Sequence, residues 1–173
     1  MNHSLVVMGV SGCGKSSLGA GLAGLLKARF VEGDAHHSST NRAKMSQGIA
    51  LTDADRDGWL HALADELGRQ PLPVVLTCSS LKRAYRDRLR RASPGLHFVF
   101  LDIPREAALQ RVSARGAAHF FSASLVDNQF ATLERPDGEP GVLRLDAELP
   151  LPQLQDAVCQ WLDAEQAPSA ETP

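Results

Sequence analysis

Gly9-Val10-Ser11-Gly12-Cys13-Gly14-Lys15-Ser16 carries the pattern G-x-x-x-x-G-K-[ST] at every fixed position. Glycines at these positions let the backbone curl so that successive N–H groups point inward. A helix starting at the end of the loop adds its positive N-terminal pole. Lys15 is then placed for the β- and γ-phosphates of a nucleotide, the Ser16 hydroxyl for Mg²⁺, and Ser17 for the phosphate-facing first turn. Cys13 occupies a variable position of the loop and reads as a small filler, although its oxidation would block nucleotide entry.

The loop needs a strand before it and a helix after it. Leu5-Val6-Val7-Met8 is an apolar, β-branched run, and Leu18, Leu22, Leu25 and Leu26 follow at helical spacing. Arg29–Glu32 is a short second strand ending at Gly33-Asp34, with a polar loop over 35–41. Ligands of open α/β sheets collect at the carboxyl ends of strands. Asp34 therefore suits the orientation of an attacking hydroxyl, or else caps the next helix. His36 and His37 are adjacent and point different ways, which argues against a joint metal site.

Trp59, Leu60, Leu63 and Leu67 mark a helix over 53–69 with Thr52 or Asp53 as its N-cap, and Trp59 reads as core. The third strand is Val74–Cys78, and a helix starting at Ser79-Ser80-Leu81-Lys82 turns Leu81, Tyr85 and Leu89 inward. Lys82, at that strand's carboxyl end, is within reach of an anionic substrate. His97–Asp102 is a fourth strand, whose Asp102 suits either a metal or the cap of the following helix. That helix, from Arg105, presents Arg111 and Arg115 on one face. The partly aromatic stretch from Gly116 to Pro136 reads as a mobile lid or a helical hairpin. A turn at 137–141, a fifth strand at 142–146 and an amphipathic helix through Leu154, Val158 and Leu162 close the chain, with a disordered tail over 166–173.

The 173 residues, 43% of them hydrophobic, suit one domain over 1–165 with a real core. A net charge of −2 gives no support to nucleic acid or an anionic membrane as partner. No apolar run approaches the ~20 residues of a membrane span. Met1–Ser4 leads straight into the first strand, so the expected location is the cytoplasm. The three scattered cysteines, Cys13, Cys78 and Cys159, suit reduced thiols.

Taken together, the segments from Val7 to about Pro136 resemble the bacterial-type gluconokinases, small P-loop kinases with a nucleoside-monophosphate-kinase-like fold. Besides the loop, the resemblance rests on Gly33-Asp34 with His37, Asn41 and Lys44-Met45, on Asp55-Arg56 and Trp59-Leu60, and on Cys78-Ser79 and Leu81-Lys82 with Tyr85-Arg86, whereas Ser80 stands where the family usually has alanine. Arg111, Arg115, His119-Phe120 and Gln129-Phe130 complete it. The resemblance implies an α/β three-layer fold, with a five-stranded parallel sheet in the order 2-3-1-4-5, helices on both faces and a helical lid over 115–136.

It also implies phosphorylation of D-gluconate by ATP with Mg²⁺, in a homodimer. Lys15, Asp34, Arg111 and Arg115 are the expected catalytic residues, and the loop from Gly9 to Ser17 the ATP site. Asp34, His37, Arg56, Lys82, Arg86 and His119 are the expected acceptor contacts, although Asp55 and Arg56 would also suit a mutual pair. The spacing from Arg115 to His119 is one residue longer than the family's usual lid. A shikimate-type kinase is the alternative enzyme, against which Thr77-Cys78-Ser79-Ser80 lacks the expected glycine cluster. A nucleotide-binding regulator without turnover is the alternative outside enzymes.

Overall fold

In the computed structural model of the chain, residues 4–69, 72–114 and 123–166 are described. Arg115, His119, the lid's opening stretch 115–122 and the tail 167–173 lie outside them, whereas Gln166 still belongs to the last helix. A strand without polar alternation has to be covered on both faces. Accordingly β1 (Leu5–Met8) and β3 (Val74–Thr77) are buried at every residue. With β2 (Arg29–Glu32), β4 (His97–Asp102) and β5 (Val142–Asp146) they form a parallel five-stranded sheet in the order β2-β3-β1-β4-β5. In its register Val6 lies between Leu76 and Phe98.

The helices are α1 (Lys15–Leu26), α2 (Ser39–Ser46), α3 (Asp53–Gly68), α4 (Arg83–Ala92), α5 (Arg105–Ala114), α6 (Ala123–Thr132) and α7 (Leu151–Gln166). Alternate strand residues face opposite layers. Leu5, Val7, Val75, Val99 and Leu101 pack with Leu18 and Leu22 of α1, Val112 of α5 and Leu154 and Val158 of α7. Val6, Met8, Leu76, Phe98 and Phe100 pack with Trp59, Leu63 and Leu67 of α3 and Tyr85 and Leu89 of α4.

Two local expectations are corrected. The polar loop is in fact a 3-10 turn (Gly33–His36) followed by α2, whose Ser38 N-cap accepts the Asn41 N–H at 3.1 Å. Helix α4 begins at Arg83 with Lys82 as its N-cap, because Ser80 takes φ +47 and breaks the run that the sequence suggests. The Asp102 carboxylate accepts hydrogen bonds from both Arg135 (2.9 and 3.1 Å) and Arg144 (2.9 Å). These guanidinium groups hold its carboxyl below the usual carboxylate range. Thr52 is the cap of α3, in a reciprocal capping box with Asp55.

Candidate active site

The loop between β1 and α1 is shaped by what its glycines leave out. Gly12 takes φ +86, and a Cβ there would sit 2.8 Å from the Ala108 carbonyl oxygen of α5. The first turn of α1 carries neither a side-chain cap nor an acidic residue, so its N–H groups stay available to an anion. Ser16 and Ser17 are exposed on that turn. The Lys15 ammonium donates to the loop's own Gly9 and Val10 carbonyls at 3.1 and 3.0 Å. Cys13 is buried, and burial pushes its thiol up against the pull of Lys15, so it is an apolar filler and not an accessible thiol.

The second wall of the cleft starts where β2 ends. Gly33 lies so close to β3 that a Cβ would be 2.0 Å from the Thr77 carbonyl oxygen. Its N–H donates to Thr77 Oγ1 at 3.1 Å, and its carbonyl accepts from Trp59 Nε1 at 2.7 Å. This pinning brings Asp34, half exposed, to the cleft that Ser11, Lys15, His37, Arg56, Ser79, Asn128 and Gln129 also line. The His37 ring stacks on Trp59, with centroids 4.3 Å apart and planes 15° apart. Burial, then the charges of Arg56 and Arg42, lower its pKa from 6.5 to about 4. His37 is therefore a neutral ring near pH 7, and its Nδ1 is buried without a hydrogen-bond partner among the described residues.

Arg56 is 7% exposed and donates to the Leu51 carbonyl, at 3.3 and 3.4 Å. It does not pair with Asp55, which takes Lys44 at 2.7 Å instead. Among the described residues Arg56 has no carboxylate partner.

The other expected contacts divide differently. Lys82 lies in an adjoining hollow that shares Leu51, Arg56 and Asn128 with the cleft, and both Asp53 oxygens hold it at 2.8 Å. Arg86, expected as an acceptor contact, does not line this cleft. It is fully buried, donates to the Ser80 and Leu81 carbonyls, and meets Glu139 at 2.5 Å. Arg111 lines a third hollow with Gly12, Cys13, Gly14 and Ser17, and donates to Gly12 O at 3.4 Å and Ala147 O at 3.1 Å. From α6, Gln129 Oε1 accepts the Ser11 N–H at 2.6 Å.

Residues 5–136 match the AAA domain family. The thermosensitive gluconokinase of Escherichia coli K12 is 45% identical over 148 residues, which cover 83% of this chain and 79% of that protein. The gluconokinase of Gluconobacter oxydans 621H is 46% identical over 147 residues, covering 83% of this chain and 82% of that protein. The crystal structure of a gluconokinase from Sinorhizobium meliloti 1021 superposes with a TM-score of 0.83 at 42% identity, covering 95% of this chain and 98% of that one. The chain belongs to the gluconokinase family.

Two parts of this gluconokinase-family site carry no role in the sequence reading. Asn128 and Gln129 line the cleft from α6, and the signal for Gln129, beyond its place in the family motif, is a polar residue on an otherwise apolar stripe with Leu125, Val126 and Phe130. The Asp53 link to Lys82 and Tyr85 joins residues about 30 positions apart, which spacing alone does not reveal. No group of three or more His, Cys, Asp or Glu among the described residues is placed to hold a metal ion. Mg²⁺ is commonly held by one or two protein oxygens plus substrate phosphates. The exposed Ser16 hydroxyl beside the phosphate loop fits that pattern. No helix among the described residues is long and apolar enough to cross a membrane.

Proposed function

We propose that this protein transfers the γ-phosphoryl group of ATP to the 6-hydroxyl of D-gluconate, giving 6-phosphogluconate and ADP. The observation that carries the acceptor assignment is Arg56, a buried cation without a carboxylate partner among the described residues, in one cleft with Lys15 and Asp34. A desolvated guanidinium favours a planar carboxylate, which it can grip with two parallel hydrogen bonds. The acid group thus lies at Arg56, and the far hydroxyl is directed towards Asp34 and the phosphate loop.

In the reaction the 6-hydroxyl oxygen bonds to the γ-phosphorus, the bond to the β–γ bridging oxygen breaks, and Asp34 accepts the hydroxyl's proton. Lys15 leaves the Gly9 and Val10 carbonyls for the phosphate oxygens, while Arg111 and, from the lid over 115–136, Arg115 offset charge on the transferring group. The loop from Gly9 to Ser17 binds the ATP. Neutral His37 serves hydroxyls and not the carboxylate, and His119 joins it from the lid. Mg²⁺ would be held by Ser16 and would neutralise phosphate charge. The family resemblance adds a single kinase domain over 1–165, a homodimer and the cytoplasm to this reading.

ADP release measured with gluconate, glucose and shikimate tests it. Gluconate should be favoured over glucose by at least roughly tenfold in kcat/KM, because the uncharged sugar leaves Arg56 unpaired. Lys15→Ala should abolish turnover without lowering the melting temperature, and Arg56→Ala should chiefly raise the gluconate KM. Equal use of glucose would remove the carboxylate assignment, and no gluconate-dependent ADP would remove the activity itself.

A further inference from the structure

Gln129 is 7% exposed, and its Oε1 accepts the Ser11 N–H at 2.6 Å across 118 positions of sequence. Its helix is firmly seated, with Leu125 and Val126 buried and Phe130 packed on the core beneath the loop. A carboxamide is planar, with oxygen and NH₂ at different corners. Committing the oxygen to the loop therefore decides which way the amide is turned. The Nε2 group has no hydrogen-bond partner among the described residues and is not among their fully buried unpartnered atoms. It is the part of Gln129 left to the cleft shared with Lys15, Asp34 and Arg56.

Resting on the gluconate reading above, we propose that Gln129 is a specificity-determining residue whose NH₂ donates to a secondary hydroxyl of the acceptor's polyol chain, with the Ser11 N–H fixing its orientation. The cleft then carries complementary groups. Asp34 accepts only, the guanidinium of Arg56 donates only, and the Gln129 amide supplies a second donor that is neutral and directional. A neutral donor suits a hydroxyl oxygen, whereas Arg56 suits the charged end. Because the same amide holds the phosphate loop, the acceptor and the loop are aligned through one rigid plane.

Two variants test this. Gln129→Met keeps length and apolar packing but removes both polar atoms. Gln129→Glu keeps an oxygen for the Ser11 N–H and replaces the donor by an acceptor. Each is assayed for melting temperature, kcat, and the KM of gluconate and of ATP separately, and unaltered protein is compared on gluconate and its monodeoxy analogues. Both variants should raise the gluconate KM at least about tenfold while the ATP KM stays within about twofold.

One secondary deoxy position should cost the unaltered protein at least about tenfold in kcat/KM, and Gln129→Met should erase that difference. A purely structural role would instead lower the melting temperature and move both KM values together. An unchanged gluconate KM in either folded variant overturns the proposal. So does tighter ATP binding by Gln129→Met, which would mean that the amide oxygen competes with phosphate for Ser11. Absence of gluconate turnover by the unaltered protein removes the reading beneath, whereas turnover without any deoxy preference removes only the role of Gln129.

Discussion

A histidine that titrates near 4 does a different job from one that titrates near 6.5. Buried against Trp59 and facing Arg56 and Arg42, His37 gains its proton in the unfolded chain before it does so in the folded one. Its contribution to stability is whole above pH 6.5 and is lost as pH falls from 6.5 towards 4. Urea unfolding at a series of pH values should therefore show stability dropping across that window, with a shallower drop in His37→Gln. Activity should show no His37 inflection between these values and neutrality. An equal slope in both proteins would mean that the ring titrates in the fold as it does in the unfolded chain, so that burial and the two arginines do not hold it neutral.

Among the elements, α4 is tied to the turn that holds Glu139, between α6 and β5, by one buried ion pair. Burial alone would raise the Glu139 carboxyl, but Arg86 and Arg90 outweigh it and hold the group below its ordinary value. Arg86→Ala strands Glu139 without its main partner and should cost ~3–5 kcal/mol in urea unfolding. The gluconate KM of the folded fraction should not move, in contrast to Arg56→Ala. The two arginines also mark where sequence reading stops. Strands β1, β3, β4 and β5 are legible because each is a compact, largely apolar run, and the phosphate loop because its residues are contiguous. Helix α2 is not legible, since Met45 is its one large apolar residue that is buried, and its cap is a single serine. Arg56 and Arg86 look alike in the chain. Only the fold brings Glu139, 53 positions away, to one of them and leaves the other without a carboxylate partner among the described residues.

At the scale of the molecule, the phosphate loop and Asp34 lie at the same carboxyl edge of the sheet while the two layers beneath remain distinct cores. The phosphate loop and Arg111 belong to the layer of α1, α5 and α7, and the Trp59 platform belongs to that of α3 and α4. The chain's two tryptophans are divided in the same way. Trp161 meets His97 edge-on at 5.1 Å on the α7 side, and Trp59 lies stacked against His37 on the other. The protein thus carries a built-in optical probe of one substrate. In Trp161→Phe the remaining indole emission should change on titration with gluconate and much less with ATP alone, whereas Trp59→Phe should be nearly silent to gluconate. A Trp161→Phe spectrum indifferent to saturating gluconate would place the acceptor away from His37.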